Sequence, residues 1–236
     1  WIMKKLNLFK VFALLFVSST ATAAMNDDPL LGMFKIDQLE VQTGDGEDPF
    51  VWEAQGWIGK DLNKFWFKTE GGAIDGETED AEIQALYSRA VAPFWDFQAG
   101  WRRDIRPEPT RDWLAIGFQG LAPYLFELDT ALFFGEDSRV SARVQGEYEI
   151  LFTQKLILTP ELEANFYSKE DPEIGSGSGL SDLELVLRLR YVFLRELAPY
   201  IGVHWHKLYV SSSDFVREDG EDVSETRFVF GIRAWF

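Results

Sequence analysis

The feature that most constrains the fold is an alternation of apolar and polar residues at every second position. In the last segment, "ETRFVFGIRAWF", Phe228, Phe230 and Ile232 are apolar, whereas Arg227 and Arg233 between them are charged. Successive side chains of a β-strand point to opposite faces, so this period of two predicts strands with one apolar and one charged face. The pattern recurs from residue 33 to the end of the chain and predicts an all-β fold.

Twelve such strands are predicted, and the connectors between them alternate in length. The strands begin near residues 33, 50, 62, 80, 94, 113, 123, 139, 155, 182, 199 and 225. A soluble β-sandwich also alternates, but long connectors such as "TGDGEDP" and "GGAIDGETED", separated by short ones such as "KDLN", are typical of outer-membrane barrels. We therefore predict a closed antiparallel transmembrane β-barrel of about 12 strands, with short periplasmic turns and longer extracellular loops.

The N-terminal segment predicts export. Lys4 and Lys5 precede the apolar run "VFALLFV", and the small residues of "SSTATAA" follow it, as in a secretory signal peptide. No later apolar run reaches the roughly 20 residues of a membrane-spanning helix. We predict a signal peptide at 1–24, with Trp1 and Ile2 preceding the initiator Met3, a short lead-in at 25–32, and an outer-membrane barrel at 33–236.

Charge and cysteine content exclude several partners. The formal net charge is −16, which argues against nucleic acid as a partner. There is no cysteine, so neither a disulfide framework nor a thiolate metal site can form. The acidic stretches "TGDGEDP", "DGETED" and "REDGED" fall in predicted outer loops. They are interpreted either as solubilising or as binding divalent cations that bridge to lipopolysaccharide.

In a membrane barrel the apolar faces contact lipid and the charged faces line the interior. Opposite charges on facing walls are then expected to pair and nearly fill a narrow lumen. Aromatic residues near strand ends are expected to form interfacial girdles, and they are Phe94, Trp95, Trp101, Trp113, Tyr124, Phe133 and Phe134. Pro160 lacks an N–H and predicts a bulge or a weakened ladder, and "IDQLEV" in the first strand also suggests a bulge.

The two histidines of the chain lie in the eleventh predicted strand, in "APYIGVHWHKLYV". If Trp205 contacts lipid, His204 and His206 both point into the lumen, side by side. Two imidazoles on one face suit a borderline metal such as copper or zinc, but they equally suit hydrogen bonds to lumen carboxylates. Met33 could add a thioether ligand for Cu(I), although a methionine at a strand end is more often packing.

An enzymatic role is not predicted. Small outer-membrane barrels can carry serine and histidine for lipid cleavage, but such a site must face lipid. The predicted alternation places Trp205 on the lipid face and therefore turns both histidines toward the lumen. The stretch "GSGSG" invites comparison with a nucleophile elbow, yet Gly177 stands where that motif requires serine. It is interpreted as a flexible outer loop.

The sequence resembles the copper resistance protein B family of Gram-negative outer membranes. The resemblance rests on "DPLLGMFKIDQLE", "WIGKDLNKFWFKTEG", "DGETEDAEIQALYSRAVAPFWDFQAGWR", "GLAPYLFELD", "FTQKLILTPELEANFYSKEDPEIGSGSGLSDLELVLRLRY", "APYIGVHW" and "EDVSETRFVFGIRAWF". Together these motifs cover nearly all of the predicted mature chain.

The resemblance implies a barrel in the cell outer membrane that binds copper ions or helps to export them, alongside periplasmic copper-resistance partners. Members of this family often carry a methionine- and histidine-rich segment before the barrel. Here "AMNDDPL" leads almost at once into the first strand, so copper contacts are expected from the barrel itself or from partners. The alternative is a narrow channel or structural barrel without metal preference.

Overall fold

The computed structural model describes residues 28–44, 46–171, 177–209 and 223–236. The predicted signal peptide and residues 25–27 of the lead-in lie outside the described residues, as does the acidic stretch "REDGED". Among the described residues, no helix is long and apolar enough to cross a membrane.

Thirteen strand segments form one closed antiparallel sheet. They are β1 Leu31–Thr43, β2 Phe50–Gly59, β3 Asn63–Ile74, β4 Glu77–Ala92, β5 Trp95–Arg106, β6 Arg111–Ala122, β7 Phe126–Gly135, β8 Val140–Glu147, β9 Ile150–Leu151, β10 Leu156–Tyr167, β11 Gly179–Tyr191, β12 Leu197–Leu208 and β13 Ser224–Trp235. Consecutive strands pair with each other, with β8 and β9 both paired to β10, and β13 pairs with β1 to close the barrel. Closure pairs the first strand with the last, as the backbone of a lipid-exposed sheet requires.

The segments β8 and β9 belong to one strand of the barrel wall, so the wall has the twelve strands that the alternation predicts. Both pair with β10 in the same register, Glu161 opposite Glu147 and Leu158 opposite Ile150. The break between them lies opposite Pro160, which accepts a hydrogen bond from the Tyr148 N–H (3.1 Å) but has no N–H to return. The predicted weakening at Pro160 is confirmed, without a bulge there.

The two ends of the barrel differ. One end, here called the turn end, carries the first residues of β1, the last of β13 and the connections 60–62, 93–94, 123–125, 152–155 and 192–196. The other, the loop end, carries the connections 75–76, 107–110 and 136–139, together with the last residues of β1, β10 and β12. Both barrel termini therefore lie at the end with the shorter connections.

One predicted long connector is instead a tight hairpin. The β3 and β4 strands continue to Ile74 and Glu77, and only Asp75 and Gly76 join them. Both residues have positive φ, 51° and 87°, as a type I′ turn requires, and Asp-Gly is a sequence that favours this turn. The expected long loop "GGAIDGETED" was therefore wrong, because its polar residues continue the two strands.

The sidedness of the wall follows the sequence pattern. On β11, Leu187 is 43% exposed on the outer wall, whereas its neighbour Arg188 is 7% exposed in the lumen. On β1 the buried, inward-facing residue before the register shift between Ile36 and Gln38 is the odd-numbered Asp37. After the shift it is the even-numbered Glu40. This confirms the bulge predicted in "IDQLEV", because one extra residue reverses which side chains face inward.

Two of the predicted girdle aromatics instead face the lumen. Phe94, Trp101, Tyr124 and Phe134 are exposed on the outer surface, and Trp95 is half-buried. In contrast, Phe133 is 1% exposed beneath the Arg102 guanidinium, and the Trp113 indole donates to Asp104 Oδ2 (2.7 Å). The girdle prediction was wrong for these two. Trp113 and Phe133 form an apolar cluster inside the barrel with Trp66, Leu86 and Ala115.

Candidate metal site in the barrel lumen

The candidate site lies on the adjacent strands β11 and β12, in the half of the lumen nearer the loop end. Antiparallel pairing sets Glu184 directly opposite His206 and Asp182 opposite Leu208. Asp182 and Glu184 are two residues apart on β11, and His204 and His206 are two residues apart on β12, so each pair shares one face of its strand. Four side chains with metal-binding atoms are thereby brought together.

Both histidines face inward, as the alternation predicts. His204 Nε2 lies 3.1 Å from Glu184 Oε2, and the His204 side chain is only 12% exposed. The two imidazole rings are nearly parallel, with 6.3 Å between centroids and 10° between planes. Trp205 points the other way, and its indole donates to Ser224 Oγ (3.0 Å).

The side chains of Asp182, Glu184 and His206 offer one ligand atom each, all within 4.8 Å of one another. The Glu184 side chain is 37% exposed, so the group can be reached from the lumen. An imidazole nitrogen with two carboxylate oxygens is a donor set that binds divalent copper or zinc.

A second set of polar side chains orients this group. Asn165 Nδ2 donates to Asp182 Oδ2 (2.9 Å) and to Glu163 Oε1 (2.9 Å). The Asn165 carbonyl oxygen accepts in turn from Arg143 Nε (3.2 Å). The position of the Asp182 carboxylate is thus tied to an amide that Arg143 holds.

Met33 is not brought to the histidines. It faces the lumen near the turn end and packs against the Trp66 cluster. His204 lies opposite Arg227 on β13, and the next residue of β13, Phe228, lies opposite Thr43 on β1. The histidines are therefore level with the end of β1 near Thr43, whereas Met33 lies ten residues earlier on that strand. At 3.3 Å per residue the separation along the strands is about 30 Å. Met33 and the histidines therefore cannot bind one ion together, and a separate copper contact at Met33 stays a prediction.

Paired charges line much of the rest of the lumen. Arg188 donates to Glu40 Oε2 (3.1 Å) and Glu161 Oε2 (2.5 Å), and Tyr200 Oη donates to Glu40 Oε2 (2.8 Å). Gly231 leaves the space that the Tyr200 ring occupies, because a Cβ there would lie 2.6 Å from the phenol oxygen. Arg233 similarly joins Asp37 and Glu147.

A second paired layer crosses the barrel nearer the loop end. Arg143 contacts Glu70 (2.5 Å), Glu82 (3.0 Å) and Glu163 (3.3 Å), and Arg102 contacts Glu82 (2.7 Å). This Arg143 layer connects β8 and β10 with β3, β4 and β5 across the lumen. The interlocking of opposite charges predicted from the sequence is therefore confirmed.

A cavity of about 510 Å³ lies on the turn-end side of the Arg143 layer. Its lining runs from Phe94 and Leu121 near the turns to Glu70 and Arg143. None of the four site residues lines it. The cavity and the candidate site are separate parts of the lumen.

The sequence located the two histidines but not their partners. The charged faces of the predicted strands carry many acids, and nothing in the sequence distinguishes Asp182 or Glu184 from the others. Their proximity depends on the register of the β11–β12 hairpin, which sets Glu184 opposite His206. One sequence signal could have placed them in the lumen. Asp182 and Glu184 stand at even-numbered positions of "DLELVLRLRY", as Arg188 and Arg190 do, so all four side chains lie on the same inward face of the strand.

Fold comparisons define the class of protein. The barrel is similar to the solved KdgM porin, with TM-score 0.53 and 14% identity over 86% of this chain and 99% of that one. It is also similar to the NanC porin, with TM-score 0.56, 11% identity and the same coverage. At these identities the likeness shows the fold alone, which is that of an outer-membrane porin-type β-barrel.

Sequence comparisons identify the family. A family model described as "Copper resistance protein B precursor" matches residues 30–236. Copper resistance protein B of Escherichia coli is 46% identical over 90% of this chain and 72% of its own length. A copper resistance protein B homolog of Pseudomonas syringae pv. tomato is 41% identical with the same coverage. The chain belongs to the copper resistance protein B family.

Proposed function

We propose that this chain is a copper-resistance barrel of the cell outer membrane that binds copper ions in its lumen and helps to move them out of the periplasm. The observation that carries the proposal is that both histidines of a barrel of this family line its lumen beside two carboxylates. Copper here is the cargo of the protein. Its path would run from the turn end, past the Arg143 layer, to the histidines near the loop end.

The placement in the membrane follows from the barrel wall. The outer face carries exposed apolar residues such as Leu187, Ile201 and Phe230, which suit contact with lipid and, in the outer leaflet, lipopolysaccharide. Short connections face the periplasm in barrels of this kind. The turn end, with its cavity, would then face the periplasm and any periplasmic copper-resistance protein that delivers copper. The family and the porin-type fold favour a non-catalytic role.

Copper tolerance of cells tests this function. A strain lacking its own copy of the gene is complemented with the wild-type chain or with the double variant His204→Ala/His206→Ala, and growth and cell-associated copper are measured. We expect the wild-type chain to restore tolerance and the double variant to fail at equal barrel abundance. The matched control is Asp129→Asn, which removes a lumen carboxylate paired with Lys68 away from the site. Tolerance that is equal in all three strains would refute the proposal.

A narrow channel without metal preference is the second candidate, and the 510 Å³ cavity that reaches the turn end favours it. Single-channel recording with potassium chloride separates the two functions. We expect low conductance, because the Arg143 layer crosses the lumen, and a further decrease when copper is added. A large conductance that copper leaves unchanged would favour the channel.

A further inference from the structure

We propose that the lumen site binds oxidised copper, Cu(II), through His206, Glu184 and Asp182, and that His204 holds the Glu184 carboxylate in place. This deepens the proposed function and rests on it, because it names the oxidation state and the ligands of the cargo. Two sets of observations support it, the unpaired charge at the site and the chemistry of its donor atoms.

The charge at the site differs from that of its surroundings. Elsewhere in the lumen Glu40, Glu82 and Glu161 each contact an arginine. In the part of the chain that the structure describes, no lysine or arginine forms an ion pair with Asp182 or Glu184, and the one partner of this kind is His204. Two adjacent carboxylates that form no ion pair with lysine or arginine leave a local negative charge, which a divalent cation would neutralise.

The donor atoms favour Cu(II) over Cu(I). Thiolate and thioether sulfur select Cu(I), whereas nitrogen and oxygen donors in a tetragonal arrangement suit Cu(II). The chain has no cysteine, and Met33 lies about 30 Å away along the strands. The site offers one imidazole nitrogen and two carboxylates within 4.8 Å. Among divalent ions such a set binds copper most tightly, with zinc as a weaker competitor.

His204 is a positioning residue. Its Nε2 is already engaged with Glu184 Oε2 at 3.1 Å, and it is not part of the group whose ligand atoms lie within 4.8 Å. Histidine–carboxylate contacts of this kind orient metal ligands and typically change affinity by roughly 10–100-fold when removed. Asn165 provides the matching support on the Asp182 side.

The test is equilibrium binding of Cu(II) to the purified full-length protein in detergent, followed by electron paramagnetic resonance. We expect one bound Cu(II) whose spectrum shows coupling to a single imidazole nitrogen. His206→Ala should abolish that coupling and weaken binding by more than about 100-fold, since a direct ligand exceeds the effect of a supporting residue. His204→Ala should keep the one-nitrogen spectrum and weaken binding roughly tenfold. Asp182→Asn/Glu184→Gln should abolish specific binding.

The control is Asp129→Asn, which should bind like the wild type. A two-nitrogen spectrum lost in His204→Ala would overturn the ligand assignment in favour of chelation by both histidines. Cu(I), measured by competition with a chromogenic chelator, should bind far more weakly than Cu(II). If Cu(I) binds tightly and Cu(II) does not, the oxidation state is wrong while the copper function stands. If neither ion binds, and the double variant His204→Ala/His206→Ala leaves the copper tolerance of cells unchanged, the proposed function itself fails.

Discussion

Two regions of the lumen carry similar inward-facing acids but treat them differently. In the cluster around Arg188, Glu40 is 1% exposed and shares that arginine with Glu161. In the loop-end half, Glu184 is 37% exposed and its partner is His204. Strand β11 contributes to both regions, with Arg188 in the first and Glu184 in the second.

The difference teaches how one sequence pattern serves two purposes. A carboxylate removed from water is tolerated when an arginine neutralises it, and it then joins facing walls of the barrel. A carboxylate that stays accessible and is paired only with histidine remains able to bind an ion. We therefore interpret the Arg188 cluster as structural and the β11–β12 group as functional.

The largest expected effect is that of Arg188→Ala. It leaves Glu40 and Glu161 buried without their base, which should lower the free energy of unfolding by about 3–5 kcal/mol. Tryptophan fluorescence during guanidinium unfolding in detergent measures the change. The triple variant Arg188→Met/Glu40→Gln/Glu161→Gln should recover most of the loss, because no uncompensated charge remains. If Arg188→Ala lowers the free energy of unfolding by less than Asp182→Asn does, the structural role of the Arg188 cluster is refuted.

Copper should stabilise the folded barrel through the loop-end group alone. At a Cu(II) concentration 100 times the Kd, linkage predicts an increase of about 2.7 kcal/mol in the free energy of unfolding. Thermal unfolding with and without Cu(II) measures it, and His206→Ala should remove the increase. If His206→Ala is stabilised as strongly as the wild type, the ion binds elsewhere.

In the absence of metal, Asp182→Asn should change the free energy of unfolding by less than about 1 kcal/mol. The amide oxygen can still accept from Asn165 Nδ2, so one hydrogen bond is kept, and its net contribution is small. The same unfolding assay without copper, with chelator present, tests this. A loss approaching that of Arg188→Ala would show that the group is structural.

The smallest expected change in the free energy of unfolding is that of Pro160→Ala, on β10 opposite the break between β8 and β9. The new N–H gains a hydrogen bond opposite Tyr148, while the unfolded chain gains freedom, and the two terms nearly offset to within about 0.5 kcal/mol. Amide hydrogen exchange at residue 160 is the sharper readout, and it should show protection once the break between β8 and β9 closes. An unprotected amide would show that another cause keeps the strands apart.

Much of the fold could be predicted from the sequence, because side-chain alternation reports sidedness directly. The starts of the predicted strands lie within three residues of those observed, and Arg188, Arg233 and Glu161 face inward as expected. The errors arose where local composition was ambiguous. Asp75–Gly76 looked like part of a long loop although it is a tight turn, and Trp113 and Phe133 looked like lipid-facing aromatics although they pack inside.

The candidate site was only half visible in the sequence. His204 and His206 were recognisable because two histidines at a spacing of two must share a face. Asp182 and Glu184 lie on another strand, about 20 residues earlier, and only the hairpin register brings them into contact. Met33 lies too far from the histidines to bind the same ion. That distance could not be judged from the sequence, because it depends on how β1 and β12 are aligned with β13.

By itself, the sequence determined that this chain forms strands, which side chains face outward, and that no sulfur ligand from cysteine is available. These are local properties, fixed by the period of the backbone and by residue type. Only the tertiary structure decided which inward charges meet, since the register between strands and the closure of β13 on β1 set those contacts. That pairing leaves Glu184 with histidine, whereas Glu40, Glu82 and Glu161 each contact an arginine.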